Sequence, residues 1–226
     1  MKYVIGAYAT APSLQSNDKL LEQNFYDSLV NSIPQIEGLE IPFFGENIHK
    51  FGSKFMLNII RPDWNNVLSC IPGVMNNLSI NPHFGIASDN LIGRSEAVAM
   101  CRRANEFIHR VNDHFGRQSV KVIQLVTAPS FPVKGVASSK ESLTKSIEEL
   151  LTWDWDGVKI VIEHADSCVS ELPFEKGFLT LEDEILVLSE LLDPNEIGIT
   201  INWARSAIEG KNVNKPLEHI KLANKF

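Results

Sequence analysis

Apolar runs and amphipathic stretches alternate along this chain. Six short runs rich in branched apolar residues predict β-strands, at residues 3–9, 38–44, 65–72, 120–128, from 159 onward and 197–203. Apolar residues at helical spacing predict helices between these runs, at about residues 17–32, 47–60, 94–115, 138–151, 181–192 and 215–224. Residues 73–92 carry scattered Pro, Gly and Asn, which predicts an irregular connection. The pattern therefore predicts six consecutive βα units.

Polar residues at the predicted helix ends fit the hydrogen-bonding needs of helix termini. Asn17 or Asp18, Ser138 or Ser139, and Thr180 precede helical patterns, and Gly116 follows one. In the first predicted helix, apolar residues recur at helical spacing: Leu20, Leu21, Phe25, Leu29 and Ile33.

Several predicted strands are continuous apolar runs, which is typical of a parallel sheet covered by helices on both faces. An open doubly wound sheet and an eight-fold βα barrel both fit this α/β pattern. The first strand continues as GAYATAPS, with no GxGxxG or Walker loop, so no nucleotide cofactor is expected. Polar residues instead stand near the carboxyl ends of strands, where a barrel has its active site: Glu40, Gln124, Glu163 and Asn202.

Length, charge and cysteine content narrow the class of protein. The 226 residues fit one large domain better than two small ones, and the net charge of -7 disfavours a general nucleic-acid surface. Three scattered cysteines without a CxxC pair indicate no disulfide framework and suit a reducing cytoplasm. The sequence shows neither a signal peptide nor an apolar run long enough to span a membrane. We therefore expect a cytoplasmic protein without nucleic-acid or membrane partners.

Eight short motifs occur in order along essentially the whole chain: GAYATAP, GLEIPF, IPGVM, FGIAS, WDWDG, VIEH, EKGFLTLEDEI and INWARSAIEG. Together they resemble an uncharacterised bacterial family within the xylose-isomerase-like TIM-barrel superfamily. The resemblance implies one barrel domain over residues 1–226. The superfamily contains sugar isomerases, sugar epimerases and abasic-site endonucleases. Its members commonly hold a divalent metal (here Mn, Mg, Co or Zn) with carboxylates and histidines on late strands.

The chain departs from this superfamily in length. About six of the eight βα units are present, and 226 residues are fewer than the roughly 250 of a usual barrel. We therefore expect a TIM-barrel-like fold that is truncated at the C-terminus, without units 7 and 8 and any metal ligands they carry. Exposed sheet edges would favour pairing, so a homodimer is a further expectation.

The stretch KIVIEHADSC holds the principal candidate residues. Strand alternation puts Val161 and Glu163 on one face and Ile162 and His164 on the other. The resemblance implies that Glu163 is a metal ligand or catalytic base; an ion pair with Lys or Arg is the alternative. His164 is a candidate for metal binding or proton transfer; the alternative is that it donates to a backbone carbonyl. Asp166 is a candidate substrate-binding residue.

Three further residues are expected to contact the substrate. Glu40 suits hydrogen bonding to sugar hydroxyls, with a structural ion pair as the alternative. Asn202 could orient a hydroxyl or satisfy loop backbone groups. Arg205, in a predicted loop after strand 6, could bind a carboxylate, phosphate or sulfonate, or pair with Glu209 or Glu163.

These observations leave three functional hypotheses. The first is a sugar or sugar-acid isomerase or epimerase that uses metal-assisted proton transfer next to a carbonyl. The second is a non-catalytic relic barrel with an incomplete site, and the third is a metal-dependent phosphodiesterase of the abasic-endonuclease kind. Residues outside the candidate set include His219, which we expect on the solvated surface of the last helix.

Overall fold

The computed structural model describes residues 3–12, 16–169, 173–191 and 196–225. Within these ranges, strands and helices alternate as the sequence predicts. The strands are β1 (Tyr3–Gly6), β2 (Ile36–Pro42), β3 (Asn66–Ser69), β4 (Val120–Leu125), β5 (Lys159–His164) and β6 (Ile197–Ile201). The helices are α1 (Ala7–Thr10), α2 (Lys19–Ser32), α3 (Ser53–Ile59), α4 (Ile71–Leu78), α5 (Leu91–Phe115), α6 (Lys140–Leu151), α7 (Leu181–Glu190), α8 (Trp203–Gly210) and α9 (Lys215–Ala223).

All six strands form one parallel sheet in the order β1-β2-β3-β4-β5-β6. The predicted α/β class with a parallel sheet is thereby confirmed. A doubly wound sheet reverses its strand order at a switch point, and this sheet does not. Each new strand therefore lies next to the preceding strand, and the sheet grows in one direction from β1 to β6.

Alternation along the strands separates two environments. Ile160, Ile162 and His164 of β5 are almost fully buried against the helices, where Leu39 and Ile41 of β2 are also found. The residues between them in sequence, such as Glu163, face the other side of the sheet. The predicted orientation of Glu163 and His164 to opposite faces is confirmed.

The predicted helix caps are formed. Asp18 accepts hydrogen bonds from the backbone N–H groups of Leu20 and Leu21. Ser139 and Thr180 cap α6 and α7 in the same way. Gly116 ends α5 with φ 62°, a left-handed conformation that glycine adopts without steric cost.

Several predicted boundaries were wrong. The first strand ends at Gly6 and a helical turn follows, in which the Thr10 hydroxyl donates to the Gly6 carbonyl. Part of the predicted irregular connection is α4, which tolerates Pro72 because the first helical turn needs no backbone donor there. The predicted helix at 47–60 begins only at Ser53. Strands 3, 4 and 6 end two to three residues early, and the predicted helix end at residue 192 lies outside the described residues.

Of the five apolar residues at helical spacing in the first predicted helix, the last three are partly buried against the core. Leu20 and Leu21 are 69% and 47% exposed, whereas Glu22 and Tyr26 are buried. Glu22 Oε1 lies 2.9 Å from His49 Nε2, and the Tyr26 hydroxyl donates to the Ala7 carbonyl. Polar contacts and apolar packing therefore both hold this helix in place.

Across the part of the chain that the structure describes, we find no helix with the length and apolar character needed to cross a membrane.

Candidate functional site

A cavity of about 490 Å³ lies at the carboxyl ends of the strands. Its lining includes residues from both edges of the sheet and from the strands between them: Gly6, Glu40, Ser69, Val126, Glu163 and Asn202. Adjacent strands are about 4.8 Å apart, so the edges of a flat six-stranded sheet would be roughly 24 Å apart. The sheet is therefore curved, with this cavity on its concave side.

Glu163 is the most deeply buried acidic residue of the cavity, with 7% of its surface exposed. Its Oε1 accepts a hydrogen bond of 2.7 Å from the Asn202 side-chain amide. Burial raises the pKa of Glu163; the Asn202 hydrogen bond opposes this rise, and the charge of Glu40 adds to it. A carboxyl group with a raised pKa is suited to accepting and returning a proton near neutral pH.

Asn202 connects Glu163 to the start of α8. Its Nδ2 donates to Glu163, while its Oδ1 accepts from the Arg205 backbone N–H at 3.1 Å and caps the helix. Both ends of the amide therefore bind protein atoms. Of the two predicted roles, the structure shows the satisfaction of backbone groups, and binding of a substrate hydroxyl stays a prediction.

Arg205 lies in the first turn of α8, so its predicted position in a loop was wrong. Its Nη1 is 3.5 Å from Asp166 Oδ1, and its side chain lines the cavity. Neither Glu209 nor Glu163 is the observed ion-pair partner. The N-terminal turn of α8 thus projects a cation into the cavity.

Asp166 is fully buried and organises the neighbouring loop. Its Oδ2 accepts hydrogen bonds from the backbone N–H groups of Glu175 and Lys176, at 2.5 and 2.7 Å. Its observed contacts are with protein groups, and its predicted role in substrate binding stays untested. Through these contacts it positions the Lys176 segment beside Arg205.

Lys176 lines the cavity and was not among the predicted site residues. Burial lowers its pKa, and the positive charge of Arg205 lowers it further. It follows β5 in a loop, and no periodicity in the sequence indicates its position. The cavity therefore combines two carboxylates, Glu40 and Glu163, with two cations, Lys176 and Arg205.

His164 lies on the opposite, helix-facing side of the sheet and is fully buried. Its Nδ1 is 2.7 Å from Glu184 Oε2 on α7, and its Nε2 is 3.1 Å from Glu209 Oε2 on α8. Burial alone lowers the pKa of His164, but Glu184 and Glu209 outweigh it and raise the pKa to about 10. The predicted catalytic role of His164 stays a prediction, and its side chain points away from the cavity.

His219 extends this buried group, so its predicted surface position was wrong. It is 3% exposed, its Nε2 is 3.3 Å from Glu209 Oε1, and its Nδ1 is 2.9 Å from Ser206 Oγ. Glu209 also accepts from the Ser167 backbone N–H, and these hydrogen bonds hold the pKa of Glu209 well below its usual range, against the effect of burial.

The sequence indicated that Glu184 is buried, although it did not indicate its partner. Glu184 shares helical spacing with Leu181, Val187 and Leu188, which form the buried face of α7. A charged residue within an apolar face is a sign of a buried partner. The identity of that partner, His164, depends on how β5 and α7 pack.

One group among the described residues has ligand atoms close enough to hold a metal ion: His164, Glu209 and His219. These atoms lie within 4.8 Å of one another, and all three residues are buried. Glu163 is not part of this group, and its predicted role as a metal ligand stays a prediction.

Comparison with known proteins gives a match over nearly the whole chain. A family described as a domain of unknown function, DUF4862, matches residues 4–225. An uncharacterized protein of Salmonella typhimurium strain LT2 is 35% identical over 223 residues, which are 98% of this chain and 68% of that protein. Neither description states a reaction or a substrate.

Proposed function

The chain belongs to the DUF4862 family of domains of unknown function, and from this starting point we propose that it is a sugar or sugar-acid isomerase or epimerase. The proposed reaction moves a proton at a carbon next to a carbonyl group. The resemblance to the xylose-isomerase-like superfamily supports this class of reaction.

The observation that carries the proposal is the pairing of a buried carboxyl group with two cations in one cavity. Glu163 has a raised pKa and a fixed orientation, since Asn202 holds one of its oxygens at 2.7 Å. Lys176 and Arg205 line the same cavity. Lys176 and Arg205 are partly exposed in this cavity and can bind an anionic group, and a sugar acid supplies a carboxylate.

The proposed mechanism uses these residues in separate roles. Glu163 removes a proton from the carbon next to the carbonyl group, which leaves an enediolate. Lys176 and Arg205 bind the substrate carboxylate or stabilise the negative charge that develops on oxygen. In an isomerase, Glu163 then returns the proton to the neighbouring carbon while the hydroxyl proton of the enediolate moves between the two oxygens. In an epimerase, water donates a proton to the other face of the original carbon, and Glu163 releases its proton to solvent. The Asn202 amide keeps the carboxylate aligned throughout.

We propose that the curved sheet is part of a TIM-barrel-like fold with six of eight βα units. The sequential parallel order supports this assignment, as does the contribution of both edge strands to one cavity. In such barrels the active site lies at the carboxyl ends of the strands, where Glu163 and Asn202 are found. Pairing of exposed edges in a homodimer remains part of this proposal.

The sequence also predicts a divalent metal on Glu163. A catalytic zinc site uses three protein ligands, and the cavity supplies two carboxylates, while Asn202 directs its NH₂ group rather than its oxygen to Glu163. The described cavity residues therefore do not make up such a ligand set, and the proposed mechanism includes no step through a metal.

The free cysteines support a cytoplasmic location, and the overall negative charge supports a small-molecule substrate rather than a nucleic acid.

Proton exchange with solvent tests the proposal directly. Wild-type protein is incubated in D₂O with a panel of sugar acids and neutral sugars, and loss of the proton next to the carbonyl is followed by NMR. We expect exchange with at least one sugar acid and a loss of about 100-fold or more in Glu163→Gln. Glu148→Gln, which changes an exposed glutamate of α6, is the matched control and should keep the wild-type rate.

Equal exchange by wild type and Glu163→Gln would contradict the role of Glu163. If no sugar in the panel exchanges its proton, with or without added Mn, Mg, Co or Zn, the result would contradict the proposed reaction and favour a non-catalytic barrel. Circular dichroism of each variant separates loss of chemistry from loss of fold.

A further inference from the structure

We propose that His164, Glu209 and His219 bind one divalent cation, with zinc as the favoured ion, in a structural site on the helix-facing side of the sheet. The three residues lie on β5, α8 and α9. This site is separate from the cavity that contains Glu163, because β5 directs adjacent side chains to opposite faces. The inference therefore does not depend on the proposed function.

The orientation of both imidazole rings supports a metal site. His164 Nδ1 is held by Glu184 Oε2 at 2.7 Å, and His219 Nδ1 is held by Ser206 Oγ at 2.9 Å. Metal-binding histidines almost always donate one ring N–H to such a partner, which leaves the other nitrogen for the ion. In both rings here the remaining Nε2 is directed to the same residue, Glu209.

The distance from each imidazole to Glu209 agrees with tetrahedral coordination. His164 Nε2 is 3.1 Å from Glu209 Oε2, and His219 Nε2 is 3.3 Å from Glu209 Oε1. Two ligands on zinc, at bond lengths near 2.05 Å and a tetrahedral angle, are separated by about 3.4 Å. The three ligand atoms lie within 4.8 Å of one another, so side-chain movements of about 1 Å would bring all three groups onto one ion.

Charge balance gives a second reason for a cation. Glu184 and Glu209 are buried, and with His164 protonated and His219 neutral the group keeps one net negative charge away from water. Buried charges need compensation, and one divalent cation supplies it. Binding of the ion would release the proton that His164 otherwise shares with Glu209.

The donor set favours particular metals. Two imidazole nitrogens and one carboxylate suit zinc or cobalt, whereas magnesium and calcium prefer oxygen ligands. Ser167 adds a polar atom beside the group, because its backbone N–H donates to Glu209 while its buried hydroxyl has no hydrogen-bond partner within the described ranges.

Binding at this site would fix the last two helices to the sheet. Glu209 lies at the end of α8, whose first turn carries Arg205 and is capped by Asn202. His219 lies in the middle of α9, where it is one of the two buried residues. We therefore expect metal removal to lower thermal stability.

Metal analysis of untagged protein, purified without chelator and then incubated with zinc or cobalt, tests the inference. We expect one equivalent of metal per chain, a visible absorption band of tetrahedral cobalt, and a melting temperature that EDTA lowers and zinc restores. His219→Asn should lose the equivalent and the response to EDTA. His49→Asn, which alters another buried histidine 2.9 Å from a glutamate, is the matched control and should keep both.

A less disruptive substitution tests the site in case His219→Asn fails to fold. Ser206→Ala removes only the partner of His219 Nδ1 and should weaken zinc binding 10- to 100-fold. Ser146→Ala, a buried serine on α6, should leave zinc affinity unchanged. Absence of stoichiometric zinc or cobalt in the wild type would overturn the site. Metal that is lost in Glu163→Ala but retained in folded His219→Asn would also overturn it, and would place the ion in the cavity.

Discussion

His164 and Glu184 form a fully buried ion pair across the interface of β5 and α7, with 2.7 Å between Nδ1 and Oε2. The second oxygen of Glu184 accepts a hydrogen bond of 2.6 Å from the Thr127 hydroxyl. Every polar atom of this carboxylate thus has a partner, so loss of its charge leaves neighbouring groups uncompensated. This relationship gives the first prediction.

Glu184→Gln should lower the free energy of unfolding by about 3 kcal/mol, because it removes one of the two buried carboxylates that compensate the charge of His164. Urea unfolding of the protein measures this change. Asp183→Asn is the matched control on the same helix: its pair with Lys140 spans 3.4 Å between partly exposed side chains and should contribute about 1 kcal/mol or less. Similar losses in both variants would contradict the importance of burial.

Two substitutions at Asn202 should separate its structural and functional roles. Asn202→Ser keeps a helix cap but loses the hydrogen bond to Glu163, whereas Asn202→Ala loses both. We expect the serine variant to keep near wild-type stability with reduced proton exchange, and the alanine variant to lose about 1 kcal/mol as well. Urea unfolding and the NMR exchange assay measure the two effects, and wild-type exchange in Asn202→Ser would exclude a positioning role.

Anion binding in the cavity should depend on the protonation of Lys176. Burial and Arg205 lower the pKa of Lys176 below its ordinary value of 10.5, so the ammonium form begins to be lost at a lower pH than in a free lysine. Sulfate, which stays dianionic over this range, should therefore bind most tightly well below that pKa. Its affinity should fall as the pH rises through the pKa, by at most about tenfold per pH unit.

Calorimetric titration with sulfate between pH 7 and pH 10 measures this dependence. Lys176→Arg provides the control, because its guanidinium group stays charged throughout and should make the affinity nearly independent of pH. An identical decline in both proteins would assign the pH dependence to another group.

The sequence by itself determined the alternation of strands and helices and most helix starts. These features depend on short-range contacts: Asp18, Ser139 and Thr180 bind backbone N–H groups two or three residues away. Strand alternation depends on neighbouring residues in the same way, which is why the opposite orientations of Glu163 and His164 could be predicted.

Only the tertiary structure decided which side chains meet. His164 and Glu209 are 45 positions apart, and Asn202 and Glu163 are 39 apart. Lys176 enters the cavity because Asp166 holds its backbone, and Glu22 is buried because His49 lies opposite it. Periodicity reports that a position is buried or exposed, but the partner of a buried charge depends on how whole elements pack against one another.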